Sequence, residues 1–128
     1  MHKSRLGTVV IDCQTEQVDS AAAFWSGALG WPARPLPDQA DPNYRLFETP
    51  PSEVTVLVQA VSHPSRVHID IETDDVEAEA ARLIGLGATV VAHPPGWFVL
   101  RAPGGHLLCV VPIHSDPETF AKAARTWP

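Results

Sequence analysis

The sequence predicts an α+β fold made of two consecutive βαβββ modules and a closing helix. Three features point to it. Val9-Val10-Ile11-Asp12-Cys13 reads like Val67-His68-Ile69-Asp70-Ile71, so the chain carries an internal repeat. Each copy is followed by a helical stretch that ends in Leu-Gly, at Leu29-Gly30 and at Leu86-Gly87. In both halves the hydrophobic period then passes in the same order from two, to near 3.6, to short strand-like runs. A unit present only twice is a duplicated supersecondary module rather than a solenoid, which needs three or more copies.

The first module covers residues 6–61. Val9, Ile11 and Cys13 alternate with Thr8, Val10 and Asp12, as in a strand with two different faces. Val18, Ala22, Trp25 and Leu29 form one stripe of a helix, and Gly30 can take the left-handed conformation that stops it. Three β segments follow, at Trp31–Leu36, Tyr44–Glu48 and Val54–Val61. Prolines 32, 35, 37, 42, 50 and 51 punctuate them, because proline lacks the ladder donor and marks turns and strand edges. The stretch Pro35–Pro42 is the most loop-like of the chain.

The second module covers residues 66–112. Val67, Ile69 and Ile71 lie on one strand face and His68, Asp70 and Glu72 on the other. Val76, Ala80, Leu83 and Ile84 make the helical stripe, with Glu77, Glu79 and Arg82 facing solvent, Asp74 or Asp75 as N-cap and Gly87 as stop. Strand-like segments return at Thr89–His93, Trp97–Arg101 and His106–Pro112. A last helix over 116–127 begins at Ser115 or Asp116 and shows Phe120, Ala124 and Trp127 on one side.

Composition bounds the function. The 128 residues are 45% hydrophobic and 19% charged, ordinary for one soluble globular domain spanning residues 1–128. Nine Lys+Arg against fifteen Asp+Glu leave a net charge of −6. Phosphate tracking needs a concentrated basic surface, so nucleic acid is not an expected partner. The longest apolar runs, such as Leu107–Pro112, fall far short of the roughly 20 residues a bilayer span needs, so no membrane partner is expected. Met1–Arg5 lead directly into a strand-like segment without a signal-peptide core, which predicts a cytoplasmic protein. Cys13 and Cys109 lack CxxC spacing and are too few for a disulfide framework.

The paired modules, with Phe-Trp-Ser-Gly-Ala-Leu-Gly-Trp at Phe24–Trp31, resemble the vicinal oxygen chelate superfamily, which includes glyoxalase I, the bleomycin-resistance proteins and the extradiol dioxygenases. Arg66–Ile71, Asp75–Glu79 and Val99–His106 are similar to its glyoxalase-like branch, and the match runs from about Leu6 to Pro112. The resemblance implies that each module is a curved mixed sheet backed by its helix, and that the two concave faces share a cavity. Val9, Ile11, Val67, Ile69 and Ile71 then pack beneath the helices, each contributing roughly 1.5–3 kcal/mol on burial. Thr8, Val10, Asp12, His68, Asp70 and Glu72 face the cavity. A one-residue slip would exchange the two faces, so this burial fixes the register.

Enzymes of the superfamily hold a divalent metal with His, Glu or Gln side chains from four strands. Carried onto this chain, those positions fall on Thr8 or Val10, near Leu57 or Gln59, on His68, and on Cys109. Only His68 is a credible ligand, and the acid of the usual turn is missing from Ala102-Pro103-Gly104-Gly105. No cofactor is therefore expected. A divalent metal would need a rearranged set such as His68 and Cys109 with Asp70 or Asp12.

His68 is the first candidate for chemistry, since histidine is the side chain that ordinarily titrates nearest neutrality. Asp12 and Asp70 occupy matching places in the two modules, as an acid–base pair in a cavity or as anchors for a loop or arginine. Cys13 points at the helix as a small core residue. Cys109 points the other way, and the sequence supplies no adjacent base for it. Thr8, Val10, Leu57, Gln59, Trp97 and Cys109 form the expected ligand-contacting set, with Tyr44 and Phe47 near the rim. His93, His106 and His114 receive no role.

The resulting expectation is a glyoxalase-like, bleomycin-resistance-like protein that binds a small apolar or aromatic molecule without the usual metal. The alternative is a lyase or dioxygenase-like enzyme using His68 with Asp12 or Asp70, with or without a divalent metal. A third possibility is an interaction domain whose cavity is filled by packing. A homodimer is expected from the resemblance, with modules pairing within or between chains.

Overall fold

The computed structural model describes residues 1–37 and 41–128. The centre of the loop-like stretch at residues 35–42 thus lies outside the described residues. Among the described residues the chain forms β1 (His2–Gln14), α1 (Val18–Leu29), β2 (Ala33–Pro35), β3 (Tyr44–Phe47), β4 (Thr55–Val61), β5 (Arg66–Thr73), α2 (Val76–Gly85), β6 (Thr89–Ala92), β7 (Phe98–Arg101), β8 (Leu107–Pro112), α3 (Pro117–Ala123) and β9 (Arg125–Trp127). The class is α+β with mixed strand pairing, as the periodicity predicts. The chain divides into two compact units, one of Thr8–Val67 and one of Met1–Gly7 with His68–Pro128.

In the Thr8–Val67 unit the strands run in the order β2-β3-β4-β1. The first two pairings are antiparallel, and β1 joins β4 in parallel with Thr8 opposite Thr55, Val10 opposite Leu57 and Asp12 opposite Gln59. Helix α1 packs on β3 and β4, burying Ala22, Phe47 and Val58. Its C-cap is Gly30 at φ 80°, whose amide donates to the Ser26 carbonyl. This is the left-handed stop expected of a residue without a β-carbon. Arg45 and Asp19 tie the helix to β3 through a 2.8 Å ion pair.

The other unit repeats this plan. Strands β6-β7-β8-β5 follow one another, antiparallel twice and then parallel. Asp75 caps α2 by accepting from the Ala78 amide at 3.0 Å, and Gly87 at φ 114° follows its last turn. Ala80 of the helix, Phe98 and Leu100 of β7, and Leu108 and Val110 of β8 form a buried core with Ala88, against which Ile71, Val76 and Leu83 pack. Val67 and Ile69 were expected beneath a helix too, but they are 57% and 36% exposed. The core reaches β5 only at Ile71, so the strand's first residues extend past it.

Two boundaries differ by more than two residues from the sequence reading. The last helix ends at Ala123 rather than 127, because Ala124 turns extended at ψ 143° and Arg125–Trp127 pair antiparallel with Ser4–His2. That pairing also explains why β1 starts at His2, ahead of residue 6. The Trp127 indole N–H donates to Ser4 Oγ at 2.8 Å, and the Arg82 guanidinium lies 3.8 Å over the indole ring. Both interactions hold Trp127 to strand and helix partners rather than on a helical stripe with Phe120.

Candidate functional site

The alternation of β5 sends His68, Asp70 and Glu72 to the face opposite Ile71 and its helix. Parallel pairing with β8 then sets Asp70 beside Cys109, while Ile71 meets Val110 on the core side. Val99 of β7 is the next partner of Cys109 in the same row. The apolar register that builds the core thus fixes a polar row on the other face.

His68 Nε2 lies 3.6 Å from Asp70 Oδ1, with the side chains 15% and 19% exposed. One donor atom from each of His68, Asp70 and Cys109 lies within 4.8 Å of the other two. These three residues, two on β5 and one on β8, form one half-buried cluster of nitrogen, oxygen and sulfur donors. Trp97, just before β7, is also half-buried, and its carbonyl oxygen is 2.6 Å from His93 Nδ1. The His93 ring stacks on Phe98 with centroids 3.6 Å apart, which gives this histidine a packing role.

Glu72 ends the polar row, fully buried. It accepts from the backbone amides of His114 at 3.3 Å and Ser115 at 3.2 Å, and from the Ser115 hydroxyl. His114 Nε2 approaches it at 3.2 Å and Arg5 Nε at 3.9 Å. A β-carbon at Gly7 would stand 2.9 Å from His114 Nε2 and 3.0 Å from Glu72, so glycine admits this close approach. Glu72 therefore anchors the segment after β8. Its partners are remote in sequence, so alternation alone placed it on the face without revealing this task.

In the Thr8–Val67 unit, Thr8, Val10, Asp12, Leu57 and Gln59 share the face opposite α1, as their register requires. Thr8, Val10 and Asp12 are buried, whereas Leu57 and Gln59 are half-buried. Asp12 Oδ2 faces Arg66 Nε at 3.5 Å, the arginine anchor that its residue type allowed. Cys13 lies on the opposite, helix-facing side, as expected. Burial pushes its thiol up; a hydrogen bond with Trp25 of α1 draws it partly back, and the Asp12 charge adds to the rise. A raised thiol is a poor nucleophile, consistent with a core residue.

The comparisons with known proteins agree with this architecture. Residues 8–111 match the family described as the glyoxalase-like domain. Among curated proteins no match is found. A hypothetical protein from Bacillus halodurans superposes with a TM-score of 0.62 at 13% identity, covering 88% of this chain and 96% of that one. Methylmalonyl-CoA epimerase from Mycobacterium tuberculosis gives 0.59 at 18% identity, covering 91% of each chain. The Mn(II)-bound glyoxalase from Novosphingobium aromaticivorans gives 0.56 at 20% identity, covering 89% of this chain but 44% of that longer one. At these identities the likeness is one of fold.

Proposed function

This chain belongs to the glyoxalase-like domain family of the vicinal oxygen chelate superfamily, and from that premise we propose that it binds a small apolar or aromatic molecule on the polar sheet face bearing His68, Asp70 and Cys109. The observation that carries the reading is the convergence of these three half-buried side chains on the face turned away from the helix. Trp97 supplies an aromatic contact, and Thr8, Val10, Leu57 and Gln59 are proposed as ligand contacts of the first module in their own right. Apolar surface would supply affinity, while the histidine and carboxylate orient the ligand's polar group.

The ligand set of a hard cation does not fit this chain. Manganese or magnesium takes oxygen-rich coordination, whereas the four positions that the resemblance assigns to metal ligands carry Thr8 or Val10, Leu57 or Gln59, His68 and Cys109. Binding is therefore proposed to be independent of such an ion. A thermal-shift screen of flat apolar and aromatic compounds tests this. Hits should raise the midpoint equally with and without added Mn²⁺, and His68→Ala should abolish the shift. Uniform failure of such compounds, or hits that require Mn²⁺, would overturn the reading.

A second reading is an enzyme, a lyase or dioxygenase-like catalyst, and the 3.6 Å approach of His68 to Asp70 favours it. The imidazole would move the proton and Asp70 would orient it. Turnover of a bound hit, lost in both His68→Ala and Asp70→Asn with binding retained in the latter, would establish it. The chain is further proposed to act as a cytoplasmic homodimer, for which light scattering should give twice 13.8 kDa.

A further inference from the structure

We infer that Cys109 is a nucleophilic thiol, activated by His68, that adds to an α,β-unsaturated carbonyl compound and holds it covalently on the polar sheet face. This rests on the ligand-binding reading above and names the chemical class of that ligand and the atom that takes it.

The strand register gives Cys109 the base that its sequence neighbours lack. A thiol becomes an effective nucleophile when a base stands within reach and a third group orients that base. Parallel pairing of β5 with β8 sets Cys109 directly opposite Asp70, and His68 lies two residues back on the same face of β5. One donor atom from each of the three lies within 4.8 Å of the other two. Such groups are spaced loosely before a ligand draws them together. His68 Nε2 stands 3.6 Å from Asp70 Oδ1, so the carboxylate favours the imidazolium that forms when the ring takes the thiol proton. All three side chains are half-buried, within reach of a small molecule yet partly shielded from water, as reactive cysteines are. Cys13 is the opposite case. It faces α1, its Sγ lies 3.7 Å from the Ile11 carbonyl oxygen, and burial raises its thiol.

The step balances with no further reactant. His68 takes the Sγ proton, and the sulfur electron pair forms a carbon–sulfur bond at the β-carbon. The π pair of the C=C bond shifts toward the carbonyl oxygen as an enolate. The imidazolium then returns the proton to the α-carbon. The net change is addition of S–H across a double bond, and nothing is oxidised or reduced. Sulfur is soft and polarisable, which favours the conjugated β-carbon over the harder carbonyl carbon. Val99, the register partner of Cys109 on β7, offers apolar surface beside the sulfur for an aryl substituent.

The test is the rate at which the reduced full chain gains the flat aryl enone benzylideneacetone at pH 7, followed by intact-protein and peptide mass spectrometry. Iodoacetamide, a small electrophile that needs no aryl contact, serves as the second probe. Both should modify Cys109 at least about tenfold faster in the native chain than in the urea-unfolded chain, the lower part of what a positioned base contributes. Cys109→Ser should give no adduct at that rate, and Cys13→Ser should leave the rate unchanged. His68→Ala, and His68→Asn with its polar side chain kept on the strand, should lose the acceleration toward both probes. A loss confined to the enone would assign His68 to ligand binding alone and overturn the activation. Enone addition no faster than in the unfolded chain, or Cys13 modified as fast as Cys109, would also overturn it. Such a failure alongside thermal-shift hits among unreactive aromatic compounds would leave the ligand-binding reading standing. Fast, His68-dependent addition of both probes without any such hit would do the reverse.

Discussion

Removing the Glu79 carboxylate should produce the largest single loss of stability on helix α2. Glu79, which the helical stripe assigns to the solvent face, is instead fully buried, because His2 and Arg82 cover it: it accepts from Arg82 Nε at 2.7 Å and Arg82 Nη2 at 2.9 Å and, through Oε1, contacts His2 Nε2 at 2.8 Å. His2 is itself buried, and Arg82 also covers the Trp127 ring. One carboxylate thus joins α2 to the start of β1 and, through Arg82, to β9. Breaking a buried pair by removing one partner costs about 3–5 kcal/mol. Arg82 is partly exposed and can recover some hydration, so the lower end applies, about 3 kcal/mol for Glu79→Ala. At roughly 3–5 °C per kcal/mol for a chain of this size, the thermal midpoint should fall by about 10–15 °C. Glu79→Gln, which keeps the volume, should lose about half as much.

The pH dependence follows from the same carboxylate. Burial pushes its pKa up, but hydrogen bonds from Arg82, His2 and Ser4, with the Arg82 charge, outweigh burial and hold it below the ordinary 4.5. A carboxyl with a lowered folded-state pKa stabilises the fold above its unfolded value. That stabilisation is lost as pH falls through the folded value. Midpoints of wild type and Glu79→Gln, followed by circular dichroism, should differ near neutrality and converge as the pH falls below the ordinary carboxylate range. A loss under about 3 °C for Glu79→Ala at pH 7, or a difference that grows in acid, would refute the reasoning.

Further outcomes can be read on the same protein. Trp127→Ala should cost about 2–3 kcal/mol, less than a fully buried tryptophan, and should increase amide exchange at Lys3 and Ser4, the strand partners of β9. Glu72→Ala should strand the amides of His114 and Ser115, lowering stability by about 2–4 kcal/mol in chemical denaturation. Cys13 should alkylate slowly at pH 7.5 compared with the unfolded chain, because burial raises its thiol pKa, and peptide mass spectrometry can score it separately from Cys109.

Local patterns made much of the architecture readable. The Val-x-Ile-x alternation in both copies assigned faces, because burying one apolar row fixes strand register. Asp75 and the glycines at 30 and 87 marked helix ends through capping chemistry that acts within a few residues. What escaped was set by distant partners. The unwinding of 125–127 into a strand depends on pairing with His2–Ser4, and no periodicity within the helix signals it. Likewise, alternation put His68, Asp70 and Cys109 on one face, but only the β5–β8 register brings the thiol beside the carboxylate. The exposure of Val67 and Ile69 reflects where the core ends, which a strand pattern does not encode.

The most direct trial of the polar face is amide chemical-shift mapping, by nitrogen–proton correlation spectra, during titration with an aromatic compound that stabilises the chain. The expected perturbations centre on His68, Asp70, Val99 and Cys109, and vanish in His68→Ala at the same ligand concentration. Shifts confined to the outer surface of α2 or to β6, undiminished in His68→Ala, would place binding elsewhere and contradict the assignment.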